Sequence, residues 1–208
     1  MSEDHVVSEG EHLARIAGFR GFRSYAPLWN DPANEALRRQ RTNPNILAVG
    51  DHTHVPTLEL REVDRATEKR HRFRAELHPL VVRLGFLHWD GRAPESGPTS
   101  VLVDGKDVPF VKTAVGISFP VDAVSDRCTI RIGDGEVSMR VGFLQPAATV
   151  AGQRERLTNL GYDAGESDKD SDIQLRSAIE EFQCDHGLVV DGKCGPNTQK
   201  VLVHVHGC

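Results

Sequence analysis

One strongly periodic stretch near the C-terminus, enclosed by turn signals, most limits what this chain can fold into. Leu175, Ala178, Ile179 and Phe182 follow i, i+3, i+4, i+7 spacing, which places four apolar side chains on one face of an α-helix. The turn signals are LGYDAG at 160–165 and HGLVVDGKCGPNT at 186–198. Upstream, Val150, Leu157 and Leu160 share a helical face, and Gly161 is placed to cap its end. Ser171 with Gln174 fits a capping box for the periodic helix. Gly187 ends that helix, and Gly195-Pro196 opens another with proline in its first turn. Residues 147–208 are therefore predicted to form a three-helix bundle.

The whole chain has 208 residues, 38% of them hydrophobic, and a formal net charge of -5. That length suits one large domain or two to three small ones, each with a small core. Arg38, Arg39 and Arg41 cluster, as do Lys69, Arg70, Arg72 and Arg74, but acidic residues flank both groups, so they read as solvated faces. With no concentrated basic patch, a nucleic-acid partner is not expected. No stretch has the length of a membrane-spanning helix, so membrane insertion is not expected. The N-terminal MSEDHVVSEG is acidic and lacks an apolar signal-peptide core. The expectation is synthesis in the cytoplasm without a Sec signal.

Residues 1–60 read as strand, helix, helix, strand. His5-Val6-Val7 is a short strand, and Gly10 turns the chain. Leu13, Ile16 and Ala17 then take helical spacing. Tyr25, Leu28 and Trp29 suggest a second short helix. Asp31-Pro32 interrupts it, Ala33 to Arg41 is helical again, and Pro44 is a stop. His52 to Val55 is a strand closed by Pro56. Residues 63–146 alternate instead. Phe73, Ala75 and Leu77 form one half-buried strand, and Leu80 to Leu87 another apolar run. Asp90-Gly91 and Pro94 to Pro98 are turns or loops. Val101 to Val103 leads into the hairpin signal Asp104-Gly105, and Val115 to Val121 is a further strand. Cys128, Ile130 and Ile132 alternate and, after Gly133-Asp134-Gly135, so do Val137, Met139, Val141 and Phe143. This spacing predicts an antiparallel β-sandwich of immunoglobulin-like or transthyretin-like type. The fold class is thus multidomain α+β.

No catalytic constellation stands out. His71, His78 and His88 lack regular ligand spacing, and Glu180 and Glu181 have no acid–base counterpart across a cleft. Asp168, Asp170 and Asp172 alternate like part of a calcium loop but lack its glycine and closing glutamate. His52 with His54, and His204 with His206 if that end is extended, share a strand face. They read as exposed polar residues. Cys128 lies on an apolar strand face. A Cys184–Cys194 disulfide, or a zinc site of Cys184, His186, Cys194 and Cys208, is compatible with the composition, although no CxxC pair is present. No metal, cofactor or enzymatic activity is expected.

The motifs LGY, EFQ, HGL and VDGKCGPNT together resemble the three-helix peptidoglycan-binding domain found in many cell-wall enzymes and secreted proteins. VVSEGEHLARIA and NPNILAVGDHTHVP, in the βααβ order, resemble the LysM domain. That family opens on a Gly-Asp-Thr-Leu-like turn, where this chain has Gly10-Glu11-His12-Leu13. The LysM resemblance implies a glycan groove between this turn and the Asn43–Leu47 loop, contacted by Gly10, Glu11, His12, Asn45, Ile46 and Leu47. In the C-terminal module the resemblance points to Tyr162, Gln183 and Asp191. Tyr162 as a packed ring and Gln183 as a satisfied helix-end residue are the structural alternatives. The implied partner is peptidoglycan or another N-acetylglucosamine-containing glycan. The three-part order is similar to proteins linked to type VI secretion and other contractile injection systems. This implies an accessory or adaptor that meets secretion-apparatus or effector proteins, acting at the envelope or periplasm or within a secreted particle. A baseplate or tail component that binds protein is the alternative, and a wall hydrolase or toxin ranks last.

Overall fold

The computed structural model describes residues 2–60, 62, 64–72, 80–87, 92, 97–166 and 173–208. The protein is mixed α+β, with three antiparallel sheets among the described residues and a helical C-terminal region. Its apolar residues gather into three separate clusters along the chain.

The front module runs β1 (Glu3–Val6), α1 (Leu13–Phe19), α2 (Ala26–Trp29), a 3-10 turn (Pro32–Asn34), α3 (Glu35–Gln40) and β2 (His52–Val55). The two strands pair antiparallel, Glu3 opposite Val55 and Val6 opposite His52. The first strand lies slightly upstream of its predicted position. Val7 leaves the ladder for the core, and its N–H donates to Asp51 O at 2.8 Å. Leu13, Ile16 and Ala17 turn the inner face of α1 onto Leu28, Leu37 and Leu47. Asn34, 2% exposed, ties the helices to the sheet. Its amide donates to Leu28 O and His54 O, and its oxygen accepts the His54 N–H at 2.6 Å. The Asp31-Pro32 break survives as the 3-10 turn, with the Asp31 carboxylate capping Ala33 N–H.

The middle module contains β3 (Leu80–Gly85), β4 (Pro98–Val103), β5 (Lys106–Asp107), β6 (Val111–Lys112), β7 (Gly116–Val121), β8 (Arg127–Ile132) and β9 (Gly135–Arg140). One sheet has the order β3-β7-β6 and the other β5-β4-β8-β9, with every pairing antiparallel. Val101, Ile117, Phe119, Cys128 and Ile130 fill the space between them. The Asp104-Gly105 hairpin turn has φ of 48° and 77°, as a type I′ turn demands. The Asp104 carboxylate also accepts the N–H groups of Asp126 and Arg127, both at 3.1 Å. The alternation expected through Phe143 stops early. Among the described strands β9 ends its sheet, Val137 on it stays 46% exposed, and Phe143 lies beyond its end. The predicted strand at 73–77, the turn at Asp90-Gly91 and the loop at 94–96 fall outside the described residues; Pro98 begins β4.

The C-terminal module holds α4 (Val150–Asn159), α5 (Ile173–Asp185) and α6 (Pro196–His206), packed around Leu157, Leu175, Ala178, Ile179, Phe182 and Leu202. Thr149 Oγ1 accepts the Gly152 N–H at 3.0 Å and caps α4. Ser171 of the expected capping box, and the acidic run 168–172, lie outside the described residues. The last segment is helical through His206, so His204 and His206 do not share a face as they would on a strand. Two residues along a helix turn the side chain by roughly 200°.

Arg156 closes this module. It is 1% exposed. Its Nε donates to Cys208 O at 2.8 Å, and one terminal nitrogen donates to Gln145 O and Gly152 O at 2.6 and 2.7 Å. The guanidinium thus joins the entry to α4 with the chain beyond α6. Replacing it leaves Gln145 O and Cys208 O without this donor, while Gly152 O keeps the helical N–H of residue 156. Arg156→Ala is expected to lower stability by about 3 kcal/mol, read from urea unfolding followed by helical circular dichroism. A loss below about 1 kcal/mol would show that the buried cation is dispensable.

Candidate functional sites

The Ser8–Leu13 turn and the Asn43–Leu47 loop are brought together in the front module. Leu13 N–H donates to Pro44 O at 3.0 Å. Asn43 Oδ1 accepts the Asn45 N–H at 2.9 Å, an Asx turn that shapes the loop. Glu11 accepts the Ser8 N–H at 2.8 Å and the His5 ring nitrogen at 2.7 Å. Burial opposes its charge, but these contacts outweigh it and hold the carboxyl below its ordinary range. Glu11 therefore braces the turn.

His12 occupies the N-cap position of α1, which the sequence pattern leaves without the usual Asp-Thr pair. Its Nδ1 lies 3.4 Å from the Arg15 N–H and 3.3 Å from Asn45 Oδ1. The two contacts belong to different forms of the ring: an unprotonated Nδ1 accepts the Arg15 N–H and caps the helix, whereas a protonated Nδ1 donates to Asn45 Oδ1. Burial pushes the imidazole down to about 4, opposed by the Asn45 hydrogen bond and aided by the Arg15 charge. The ring is 3% exposed and covered by Gly142. Leu47, also 3% exposed, belongs to the front core and has no face to offer a ligand. Of the six front residues, Asn45, Ile46 and Gly10 keep partial exposure on the turn and loop without already serving as brace, cap or core.

The loop is anchored from behind by Asp51. Its carboxylate receives Arg41 Nε at 2.7 Å and a second guanidinium nitrogen at 2.8 Å, and also accepts the Ala48 N–H at 2.9 Å. Burial raises the Asp51 pKa, but the Arg41 pair and the Ala48 N–H outweigh it, leaving the pKa below its ordinary 3.8. A carboxyl with a depressed folded pKa stabilises the fold above its unfolded pKa and loses that contribution as pH falls through the folded value. The wild-type melting temperature should therefore drop as pH falls below 3.8. Asp51→Asn should melt lower at neutral pH and show a shallower acid decline in the same scans.

The C-terminal module carries an open groove of about 590 Å³. Val150, Ile173, Leu175 and Ile179 form its apolar lining, and Gln153, Arg176, Asp191 and Lys193 its polar lining, with Gly192 and Cys194 on the turn. Ile173 is 84% exposed, a large apolar side chain offered to solvent at the start of α5. Arg176 Nε pairs with Glu180 at 2.9 Å along the helix. Asp191 accepts the Lys193 N–H at 2.9 Å. Together with the Gln183 hydrogen bond, this lowers its carboxyl pKa.

Gln183 supports this wall from inside. It is 1% exposed. Its oxygen accepts the N–H groups of Asp191 and Gly192, both at 3.0 Å, and its nitrogen donates to Asp191 Oδ1 at 2.8 Å and Lys193 O at 3.0 Å, with Thr198 Oγ1 at 3.1 Å. It shapes the turn and cannot touch a ligand. Tyr162 is likewise internal in role. Its ring packs edge-on against Phe182 with centroids 5.7 Å apart, and its hydroxyl donates to Asp185 at 2.9 Å. Of the three expected residues here, only Asp191 lines the groove. Ile173, Arg176 and Lys193 were missed because the pattern that marks a core face says nothing of what borders it. Ile173, an apolar residue two positions before the periodic set and off its face, was the available signal.

All four cysteines are free thiols, so no Cys184–Cys194 bond is formed. Burial pushes the Cys194 thiol up to about 11 despite the Arg156 charge, and a thiol held protonated is a poor ligand and nucleophile. Among the described residues no group of three or more His, Cys, Asp or Glu side chains is placed to hold a metal ion. His78 and His88 lie outside the described residues.

Residues 149–202 match the family model described as "Putative peptidoglycan binding domain". The C-terminal module thus carries a peptidoglycan-binding domain, and the match runs from the Thr149 cap of α4 to core residue Leu202 of α6. No curated protein and no solved structure shows a significant match to the chain.

Gln183→Leu keeps most of the buried volume and removes every hydrogen bond to the 191–193 turn. It should cost about 2 kcal/mol and weaken attachment to purified peptidoglycan sacculi, with helical content unchanged. Full retention in a sacculus pelleting assay would show that the turn's shape does not matter for binding.

Proposed function

We propose that this protein is a non-catalytic peptidoglycan-binding protein that holds the wall polymer in the groove between α5 and the 191–194 turn. The observation that carries this reading is the coincidence of that groove with the family-matched stretch. Its chemistry fits the polymer. Peptidoglycan presents methyl groups, amides, hydroxyls and carboxylates, and the groove offers branched alkyl side chains beside two cations and two polar acceptors. The LysM-like front module is proposed as a second, N-acetylglucosamine-directed contact. Two weak contacts on one chain add avidity when both reach the same polymer.

In this reading the protein acts at the envelope or periplasm, or within a secreted particle. It serves as an accessory or adaptor of a type VI secretion or related contractile injection system, and the β-sandwich acts as a spacer. A second reading is favoured by the cover over His12. A front module whose turn is already packed against its own chain suits a structural baseplate, tail or effector-adaptor component that binds protein.

The test uses the full chain. Wild-type protein should pellet with purified sacculi, and Ile173→Asp combined with Lys193→Glu should weaken that attachment about tenfold or more, a loss of roughly 1.4 kcal/mol. Wild-type protein that stays in the supernatant while co-purifying with a secretion particle would favour the second reading.

A further inference from the structure

The front groove is covered by the protein's own chain. Gly10 has φ of +76°, and a Cβ built on it would stand 2.4 Å from Phe143 Cε1. Gly142 has φ of +83°, and a Cβ there would stand 2.6 Å from His12 Cδ2. At both points a glycine with positive φ faces a ring of the other module so closely that any Cβ would force the ring to shift. Arg140 lies over the Phe143 ring, 3.3 Å from its centroid, and reaches Glu9 at 3.5 Å. Behind them, Arg15 donates to Gly10 O at 3.1 Å and to Asp126 at 3.2 Å. The covering residues bridge two anchors: the end of β9 with the Val141 N–H donating to Asp126 O at 2.8 Å, and Gln145, whose N–H donates to Glu155 at 2.7 Å and whose carbonyl accepts from Arg156 at 2.6 Å; Gly142 and Phe143 lie between them.

We propose that the Arg140–Phe143 segment is an intramolecular cap on the front groove, and that this groove takes an N-acetylglucosamine oligomer only when the cap swings away. The proposal rests on the reading of the front module as a second glycan contact. Its physical basis is competition for one surface. Phe143 seats on Gly10 and Gly142 seats on His12, so any ligand of the Gly10–His12 turn and Asn45 must displace them. The Arg140–Glu9 pair at the rim joins two exposed partners and holds little by itself. The cap is therefore a few side chains wide, and its opening dilutes the apparent affinity by the fraction of molecules that are open. The two modules, on this view, are not independent arms. The front one is held in reserve while the C-terminal groove stays open.

The experiment titrates chitotetraose into the full-length chain by calorimetry and follows the His12 ring by NMR across pH. Every protein carries Ile173→Asp and Lys193→Glu to weaken the C-terminal groove, so that differences between the proteins report on the front one. Wild-type His12 should stay neutral until about pH 4. Phe143→Ser should move its titration toward the ordinary 6.5 and strengthen chitotetraose binding about tenfold, and adding Ile46→Asp should abolish the gain. Gly142→Val is the second route to the same state, because its side chain collides with the imidazole, and it covers the case in which Phe143→Ser does not fold. Equal binding by the capped and both uncapped proteins would overturn the cap. His12 remaining shielded in both variants would do the same. A freed His12 with no oligosaccharide binding would overturn the glycan reading of the groove, and the proposal with it.

Discussion

Burial in this chain is divided among three small hydrophobic cores, and polar side chains therefore close each module. Small cores leave a large share of backbone near the surface, and backbone groups that are buried must find partners. In the front module Asn34 links helix to strand, and Asp51 with Arg41 holds the loop. In the C-terminal module Gln183 holds the 191–193 turn, and Arg156 joins the two ends. Most of these side chains are buried, and they tie segments from 3 to 52 positions apart. The grooves that give the protein a surface to work with depend on such ties, because both are built from turns.

The two candidate sites differ in one physical respect. The C-terminal groove is open, with Ile173 almost wholly in solvent and Lys193 exposed at the turn. The front groove is shut by contacts from the middle module, and His12 within it is buried deeply enough to stay neutral far below the usual histidine range. A polymer meeting this protein would find the rear surface available and the front one covered. That asymmetry is consistent with a wall anchor whose front module is used conditionally, or is used for protein contact.

Much of the architecture was legible in the sequence where periodicity and turn chemistry agreed. The Leu175 to Phe182 pattern, the Gly195-Pro196 start and the Asp104-Gly105 hairpin are local signals with local causes, and each stands where it was expected. The site residues were less legible. Gln183, Tyr162, Glu11 and Leu47 sit in suggestive motifs, yet they are respectively a buried amide hub, a packed ring, a turn brace and a core residue. A motif records which residue types are required at a turn. It does not record whether a side chain faces inward to build that turn or outward to meet a ligand.

The sequence alone therefore determined the mixed α+β class, the antiparallel strands and the helical C-terminal region, because helix and strand periods, proline stops and glycine turns act over a few residues. Only the tertiary structure decided which surfaces are free. The packing of Phe143 on Gly10, of Gly142 on His12 and of Gln183 beneath Asp191 joins residues from 8 to 133 positions apart. Contacts across the longer of these separations leave no periodic trace in the chain, since they depend on how folded modules meet.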